Sequence, residues 1–382
     1  MDVQVRHQRI WNILYDLVHP WFPRFFHFSY DEIDAEGPIL LVCNHVTCLD
    51  SLLLGLAMGK KQIYYVSTEH ILRSRFTGWL LKWVFDPIPR RKGADSLDTV
   101  RKTLRHLRQG HSVCLFAEGE QSWDGRTIPV VPGSGSLARA CQATLVTYRL
   151  EGGYLQMPRW GRGVRKGSIR GRLQGVYPPE VLKAMSTEEV NRLMEKDIQE
   201  NAWERQKTEK VPYRGGHLAE YLERALYLCP SCRRIGTLSS HGEKLACTCG
   251  LNIQMTETGI FSEGSPFQNV AEWDDWQRTQ LRERNFLRDE NSDILFSDGD
   301  ITLTCIGEGH QQTVLCSGTL NQTEEAIQCG TRTFSLNSIE DMAMSQAEVL
   351  LFTCEGSYYE LRGRRRTNMR KYLEVWKQKQ GN

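Results

Sequence analysis

The chain has 382 residues, room for two or three domains at roughly 150 residues each. Aliphatic, aromatic and Cys residues make up 40% and charged residues 25%, a globular balance that excludes wholesale disorder and collagen-like fibres. A net charge of +2 gives no global basic bias, so nucleic acid is not an expected partner. Mean hydropathy is −0.45, and no uncharged apolar run approaches the ~18–20 residues of a spanning helix. The best run, Trp79–Phe85, is short and carries Lys82. The opening MDVQVRHQRIWN lacks the apolar core of a signal peptide. Of the 12 cysteines, Cys43, Cys48, Cys114 and Cys141 lie in or beside apolar runs, and four others fall at metal-ligand spacing. That usage predicts a reducing cytoplasm.

Residues 1–30 hold Trp11, Tyr15, Trp21, Phe22, Phe25, Phe26, Phe28 and Tyr30, with Pro20 and Pro23 as helix breaks. Two readings fit: helices packed on the core, or an interfacial segment whose rings sit at headgroup level. From Pro38 strands and helices alternate. The apolar run Pro38–Cys43 predicts a buried strand, Ser51–Met58 a helix, Gln62–Ser67 a strand and Ile71–Phe85 a helix. Ser96–Gln109 has a helical stripe at Leu97, Val100, Leu104 and Leu107. Ser112–Phe116 predicts a strand, Ser136–Gln142 a helix and Ala143–Leu150 a strand. Two strands from Ser168 and a helix over Thr187–Gln206, started by Ser186, close the pattern.

The alternation predicts an α/β domain with a largely parallel central sheet flanked by helices. A linker with a short helix at His217–Leu226 follows. After Ile294 short β-rich runs end in one helix at Thr367–Gln378, which predicts a small antiparallel barrel or sandwich capped by that helix. The expected divisions are 1–30, 31–206, 207–228, 229–262 and 263–382.

The first predicted strand runs into Asn44-His45-Val46-Thr47-Cys48-Leu49-Asp50. A His at a strand's end and a carboxylate five residues on can face each other across the turn. The carboxylate then fixes the imidazole tautomer, and the imidazole removes a proton from a hydroxyl. One His and one Asp alone are better explained as a capped turn residue and an ordinary N-cap.

Further segments sharpen this reading. Asn44–Asp50 is NHxxxxD, Pro87-Ile88-Pro89-Arg90-Arg91 follows, and Phe116-Ala117-Glu118-Gly119-Glu120-Gln121-Ser122 stands after a strand. Ala143-Thr144-Leu145-Val146-Thr147 comes last. In this order the segments resemble the four signatures of the glycerolipid acyltransferase superfamily, which includes the lysophosphatidic acid acyltransferases. The resemblance covers roughly residues 10–206. It implies that His45 is the general base, Asp50 its partner, and that Asn44, Glu118, Gly119 and Arg90 serve the acceptor, with Arg91 as the alternative to Arg90. It also implies a peripheral enzyme on the inner face of the membrane. Such an enzyme takes an acyl group from acyl-CoA or acyl carrier protein to a lysophospholipid. Three departures stand out: Ala117 for Pro, Glu120-Gln121 for Thr-Arg, and Thr147 near the place of a Pro. A Gln cannot grip a phosphate as Arg does. The rival reading is a non-catalytic lipid- or protein-binding scaffold with a degenerate acyltransferase domain.

Arg159, Arg162, Arg165, Lys166, Arg170 and Arg172 form a stretch without an acidic residue, a candidate for anionic headgroups or coenzyme A phosphates. Cys229-Pro-Ser-Cys232 and Cys247-Thr-Cys249-Gly250 flank a 14-residue loop, the spacing of a zinc ribbon. Four thiolates favour tetrahedral Zn2+ in a structural role, with His241 as the weaker alternative ligand. The C-terminal run of strands and its closing helix are similar to the pleckstrin-homology superfamily.

Overall fold

The computed structural model describes residues 3–74, 76–92, 97–288 and 291–381. The chain divides into two compact units. The first comprises Met1–Arg90, Ser96–Arg159 and Val164–Arg214, and the second Arg91–Asp95, Trp160–Gly163 and Gly215–Asn382.

The first unit opens with helices α1 (Val3–Val18) and α2 (Phe22–Phe26) and strands β1 (Phe28–Tyr30) and β2 (Ile39–Cys43). Then come α3 (Asp50–Ala57), β3 (Ile63–Thr68), α4 (Glu69–Leu72), α5 (Thr77–Phe85) and β4 (Ile88–Arg90). Next are α6 (Leu97–Arg108), β5 (Ser112–Leu115), α7 (Ser134–Ala140), β6 (Thr144–Glu151), α8 (Gly153–Gln156) and β7 (Ile169–Tyr177). The unit ends with α9 (Pro179–Ala184), α10 (Thr187–Ile198) and α11 (Ala202–Glu209). The strands form one mixed, mostly parallel sheet in the order β1-β7-β6-β2-β5-β3-β4, with β6 and β7 antiparallel.

Every residue of β2 is buried, as an apolar strand covered on both faces requires. Alternate side chains leave the sheet on opposite faces. Leu40, Val42, Tyr64 and Val113 join Leu107 of α6, Ala138 of α7, Leu182 of α9 and Val190 of α10 in one core. Tyr65 belongs to the other face, where its ring stands 5.8 Å from that of Phe85 on α5. Phe85 also meets Trp11 of α1 at 5.9 Å, and Gly55 of α3 lies so close that a Cβ there would stand 2.6 Å from Trp11. Helices α1, α3 and α5 therefore cover one face, and α6, α7, α9 and α10 the other.

Local chemistry explains where the elements depart from the sequence reading. The helix expected over Thr187–Gln206 is two helices. Ser186 and Glu189 form a capping box at α10, and Asn201 caps α11 through the amides of Trp203 and Glu204. The helix expected over Ile71–Phe85 is split into α4 and α5. One continuous β7 replaces the two strands expected from Ser168, and only a 3-10 turn, Leu222–Arg224, stands in His217–Leu226. Helix α11 runs to Glu209, into the expected linker.

The second unit holds a three-stranded antiparallel sheet of β8 (Leu238–His241), β9 (Lys244–Cys247) and β10 (Asn252–Gln254), then α12 (Val270–Arg282). Strands β11 (Ile294–Ile306), β12 (Gln312–Thr323), β13 (Ala326–Cys329) and β14 (Arg332–Ser335) follow. Strands β15 (Ile339–Ser345), β16 (Val349–Cys354), β17 (Ser357–Arg362) and helix α13 (Arg370–Lys379) complete it. These seven strands form one antiparallel sheet in the order β14-β13-β12-β11-β17-β16-β15. Helix α13 buries Tyr372 and Leu373, and the Tyr372 hydroxyl donates to Asp298 Oδ2 at 2.6 Å.

Helix α12 was not foreseen, because its inner face is partly polar. Asp274 is fully buried and accepts from the two terminal guanidinium nitrogens of Arg370 at 2.8 Å. Gln277 donates to the Ala225 carbonyl and accepts from the Tyr227 amide, each at 2.9 Å. Buried polar groups persist where such partners satisfy them.

Candidate functional site

The C-terminal ends of neighbouring parallel strands are where open α/β sheets gather ligands. Here β2 delivers Asn44 and His45, and β5 delivers the loop Phe116–Ser122. Asp50 begins α3 and is 1% exposed. Its Oδ2 lies 2.7 Å from His45 Nδ1 and accepts the Val46 amide at 2.7 Å. Its Oδ1 accepts the Thr47 hydroxyl at 2.7 Å, and the Thr47 amide reaches both oxygens at 3.0 Å. With the carboxylate at Nδ1, that nitrogen carries the proton and Nε2 presents its lone pair. The imidazole stacks on Phe116 at 4.3 Å and keeps 26% of its side chain exposed.

The loop after β5 is hooked onto the loop after β2. Glu118 Oε1 accepts the His45 amide at 2.6 Å, and Oε2 accepts the Ile128 amide at 2.5 Å. The Ser122 amide donates to the His45 carbonyl at 3.0 Å, and Gln121 Nε2 to the Val46 carbonyl at 2.9 Å. Burial pushes the Glu118 carboxyl up to about 8, against the lowering effect of its two backbone donors. Gly119 has φ +72°, a left-handed backbone that favours glycine. The Arg90 guanidinium lies 3.2 Å from where a Gly119 Cβ would stand, so Arg90 reaches this loop.

Thus His45, Asp50, Arg90, Glu118 and Gly119 come together. Two residues of the expected acceptor set do not join them. Asn44 is fully buried, and its side-chain amide exchanges two bonds with the Leu150 backbone, at 2.8 and 2.7 Å, tying β2 to β6. It positions the strand end from inside the core. Arg91 belongs to the second unit, where its guanidinium lies 4.3 Å from the Tyr358 ring centroid.

The departures from the signature have local partners. Glu120 pairs with Arg159 at 2.7 Å and accepts the Trp123 indole N–H at 3.2 Å, and Arg159 lies over the Trp123 ring at 4.2 Å. Arg165 is buried and donates to the Leu155 carbonyl at 2.9 Å, Arg170 pairs with Glu151 and Glu209, and Arg172 with Asp31. Four of the six basic residues are therefore engaged within the protein, while Arg162 and Lys166 are exposed. Thr47, Phe116 and Arg159 were missed as contributors to the site. The signal for Thr47 was a hydroxyl residue three positions before Asp50; nothing local announced the pairing of Arg159 with Glu120.

In the second unit, the sulfurs of Cys229, Cys232, Cys247 and Cys249 all lie within 4.8 Å of one another. Cys229–Cys249 and Cys232–Cys247 are each 3.7 Å apart. A tetrahedral ion with ~2.3 Å bonds to sulfur sets its ligands about 3.8 Å apart, so this donor set fits such an ion. His241 lies outside the cluster, its ring 3.8 Å from Glu220.

Residues 26–151 match the family model described as Acyltransferase, a span that includes His45, Asp50, Arg90, Glu118 and Gly119. The chain is 28% identical over 138 residues to the chloroplastic 1-acyl-sn-glycerol-3-phosphate acyltransferase LPAT1 of Arabidopsis thaliana, covering 36% of this chain and 38% of that protein. It is 21% identical over 126 residues to the 1-acyl-sn-glycerol-3-phosphate acyltransferase of Bacillus subtilis, covering 33% of this chain and 61% of that one. The chain thus spans less than two thirds of either relative. The crystal structure of the 1-acyl-sn-glycerophosphate acyltransferase PlsC from Thermotoga maritima aligns with a TM-score of 0.41 at 17% identity, covering 48% of this chain and 76% of that one. The sequence matches support an acyltransferase-family domain in the first unit.

Glu118 makes stability depend on pH. Its folded-state value of about 8 stands above the ordinary 4.5, so the folded protein holds the extra proton between them. The group's contribution is full below 4.5 and is lost as pH rises through 8. The slope is up to ~1.4 kcal/mol per pH unit. Urea midpoints should fall for the parent between these limits and fall less for Glu118→Gln, whatever the variant's absolute stability. Parallel slopes would contradict this account.

Proposed function

We propose that the first unit is an O-acyltransferase that moves a fatty acyl group from a thioester of coenzyme A or acyl carrier protein to the free hydroxyl of a lysophospholipid, of 1-acylglycerol-3-phosphate type. The observation that carries the reading is the 2.7 Å pairing of His45 Nδ1 with the buried Asp50 carboxylate. His45 Nε2 takes the proton of the acceptor hydroxyl as its oxygen attacks the thioester carbonyl carbon. The C–O bond forms, the C–S bond breaks, and the departing thiolate receives the proton from the imidazolium. Asp50 holds the tautomer and stabilises the imidazolium. The thioester is already activated, so no covalent enzyme intermediate is needed. Cys48 is exposed, and its sulfur lies 3.3 Å from Met157. Arg90, beside Gly119, supplies a cation for the acceptor's phosphate.

We assign the four-cysteine cluster a structural Zn2+. All four donors are cysteine sulfurs, which leaves no open position for catalysis. The seven-stranded antiparallel sheet closed by α13 supports a pleckstrin-homology-like reading of the C-terminal part.

A lipid acceptor requires contact with a membrane, and no helix among the described residues is long and apolar enough to cross one. The N-terminal segment serves both expected roles at once. Trp11, Phe22 and Phe26 pack inward, while Ile13, Leu17, Trp21 and Phe25 are between 50% and 70% exposed. Phe76 at the start of α5 and Trp79 and Trp83 within it add exposed ring area. We take this apolar surface as the part that enters the headgroup layer.

Three outcomes follow. His45→Ala should lower thiol release from acyl-CoA offered with lysophosphatidate by ~10²–10⁴-fold with the fold intact by circular dichroism. Near-normal turnover would remove the mechanism and favour the scaffold reading. Protein purified without chelator should contain one Zn2+ per chain by elemental analysis, and Cys229→Ser should lose it; metal-free parent protein would refute the assignment. Replacing Ile13, Leu17, Trp21 and Phe25 together by Ser should weaken co-sedimentation with phosphatidylglycerol vesicles at least about tenfold. Unchanged binding would show that the bilayer meets another surface.

A further inference from the structure

Helix α6 carries Arg101, Arg105 and Arg108 at spacings of four and three, which set them on one helix face. All three are exposed. They line a groove of about 380 Å³ with Leu104 and Gln109. No carboxylate among the described residues lies within ion-pair distance of any of them. The helix's one acid, Asp98, is held by Lys102 at 2.6 Å. The opposite face of α6 is internal, through Thr99, Thr103 and Leu107.

Elsewhere in this unit the arginines are mostly paired, as with Arg159, Arg170, Arg172 and Arg205. Three unpaired guanidinium groups around an apolar floor form a surface complementary to an acidic helix. Its place in the fold argues against the bilayer as occupant. Helix α6 packs on the Tyr64 face of the sheet, whereas α1, which exposes Ile13 and Leu17, and α5, which exposes Trp79 and Trp83, pack on the Tyr65 face. Nucleic acid is a poor fit, since α6 carries no Phe, Tyr or Trp on which a base could stack. The start of α6 is tied to β4, the strand that ends at Arg90, by the Thr99 hydroxyl on the Pro89 carbonyl at 3.3 Å. The start of the helix is thus joined to the strand that carries Arg90.

We propose that the Arg101/Arg105/Arg108 face of α6 docks an acidic carrier protein that bears the acyl thioester. This names the donor within the acyltransferase reading and rests on it. The protein donor meets α6 while the lipid acceptor comes from the opposite face of the sheet.

The test compares the full-length parent with R101E/R105E/R108E, and with R101Q/R105Q/R108Q as a milder control of folding. Calorimetric binding of purified bacterial acyl carrier protein is measured at low and high salt. Turnover is measured with acyl carrier protein and coenzyme A thioesters. Charge reversal should weaken carrier-protein binding and raise the KM for the protein thioester at least about tenfold. The effect should be smaller for the Gln variant and should shrink as salt is added. Coenzyme A thioester kinetics should stay unchanged. Equal carrier binding by parent and both variants would overturn the proposal, as would a parent that does not bind the carrier. An equal rise in KM for the coenzyme A thioester would assign the face to that donor's phosphates instead. Loss of vesicle binding alone would assign it to the membrane. Failure of the acyltransferase reading shows separately, as no thiol release from either thioester while carrier binding is still read by calorimetry.

Discussion

The buried carboxylate of Asp50 organises the end of the sheet. A carboxylate removed from water must be met by donors, and four converge on it: the His45 ring, the Val46 and Thr47 amides and the Thr47 hydroxyl. Meeting that demand bends the chain between β2 and α3 into a single turn, and the turn aims the imidazole. The second layer is Glu118, whose two oxygens join the amides of His45 and Ile128. The position of the ring is thus fixed by its own backbone as well as by its hydrogen bond.

The parallel sheet was legible because its strands are continuous apolar runs, and buried parallel strands have to be. The site was legible to the same degree in His45 and Asp50, which are neighbours in sequence. What escaped depends on distant partners. Asn44 looked like a substrate ligand because nothing local shows that Leu150, 106 residues on, takes both ends of its amide. Arg90 and Arg91 are adjacent in sequence but belong to different compact units. Helix α12 was invisible to apolar periodicity because Asp274 and Gln277 occupy its inner face, balanced by Arg370 and by backbone groups.

The replacement of Thr-Arg by Glu120-Gln121 has a coherent physical account. Gln121 turns its amide back to the Val46 carbonyl, and Glu120 draws Arg159 across the Trp123 ring. A cation stays near the loop, yet it comes from another segment and is already neutralised. The Arg90 guanidinium also reaches this loop, beside Gly119. The loop is held by an internal ion pair instead of offering a free guanidinium.

Thr47 gives the four residues between His45 and Asp50 unequal evolutionary freedom. Its hydroxyl donates to Asp50 and also accepts the Leu49 amide at 3.0 Å, so it is a link in the turn itself. Cys48, one position later, faces outward. Among descendants of such a chain, drift should be fast at the outward position, with nearly any small or polar residue tolerated. It should be confined at the inward one to Ser and Thr, the side chains that can both give and receive a hydrogen bond there. A signature written with three fixed residues and four interchangeable places hides a fourth constrained residue.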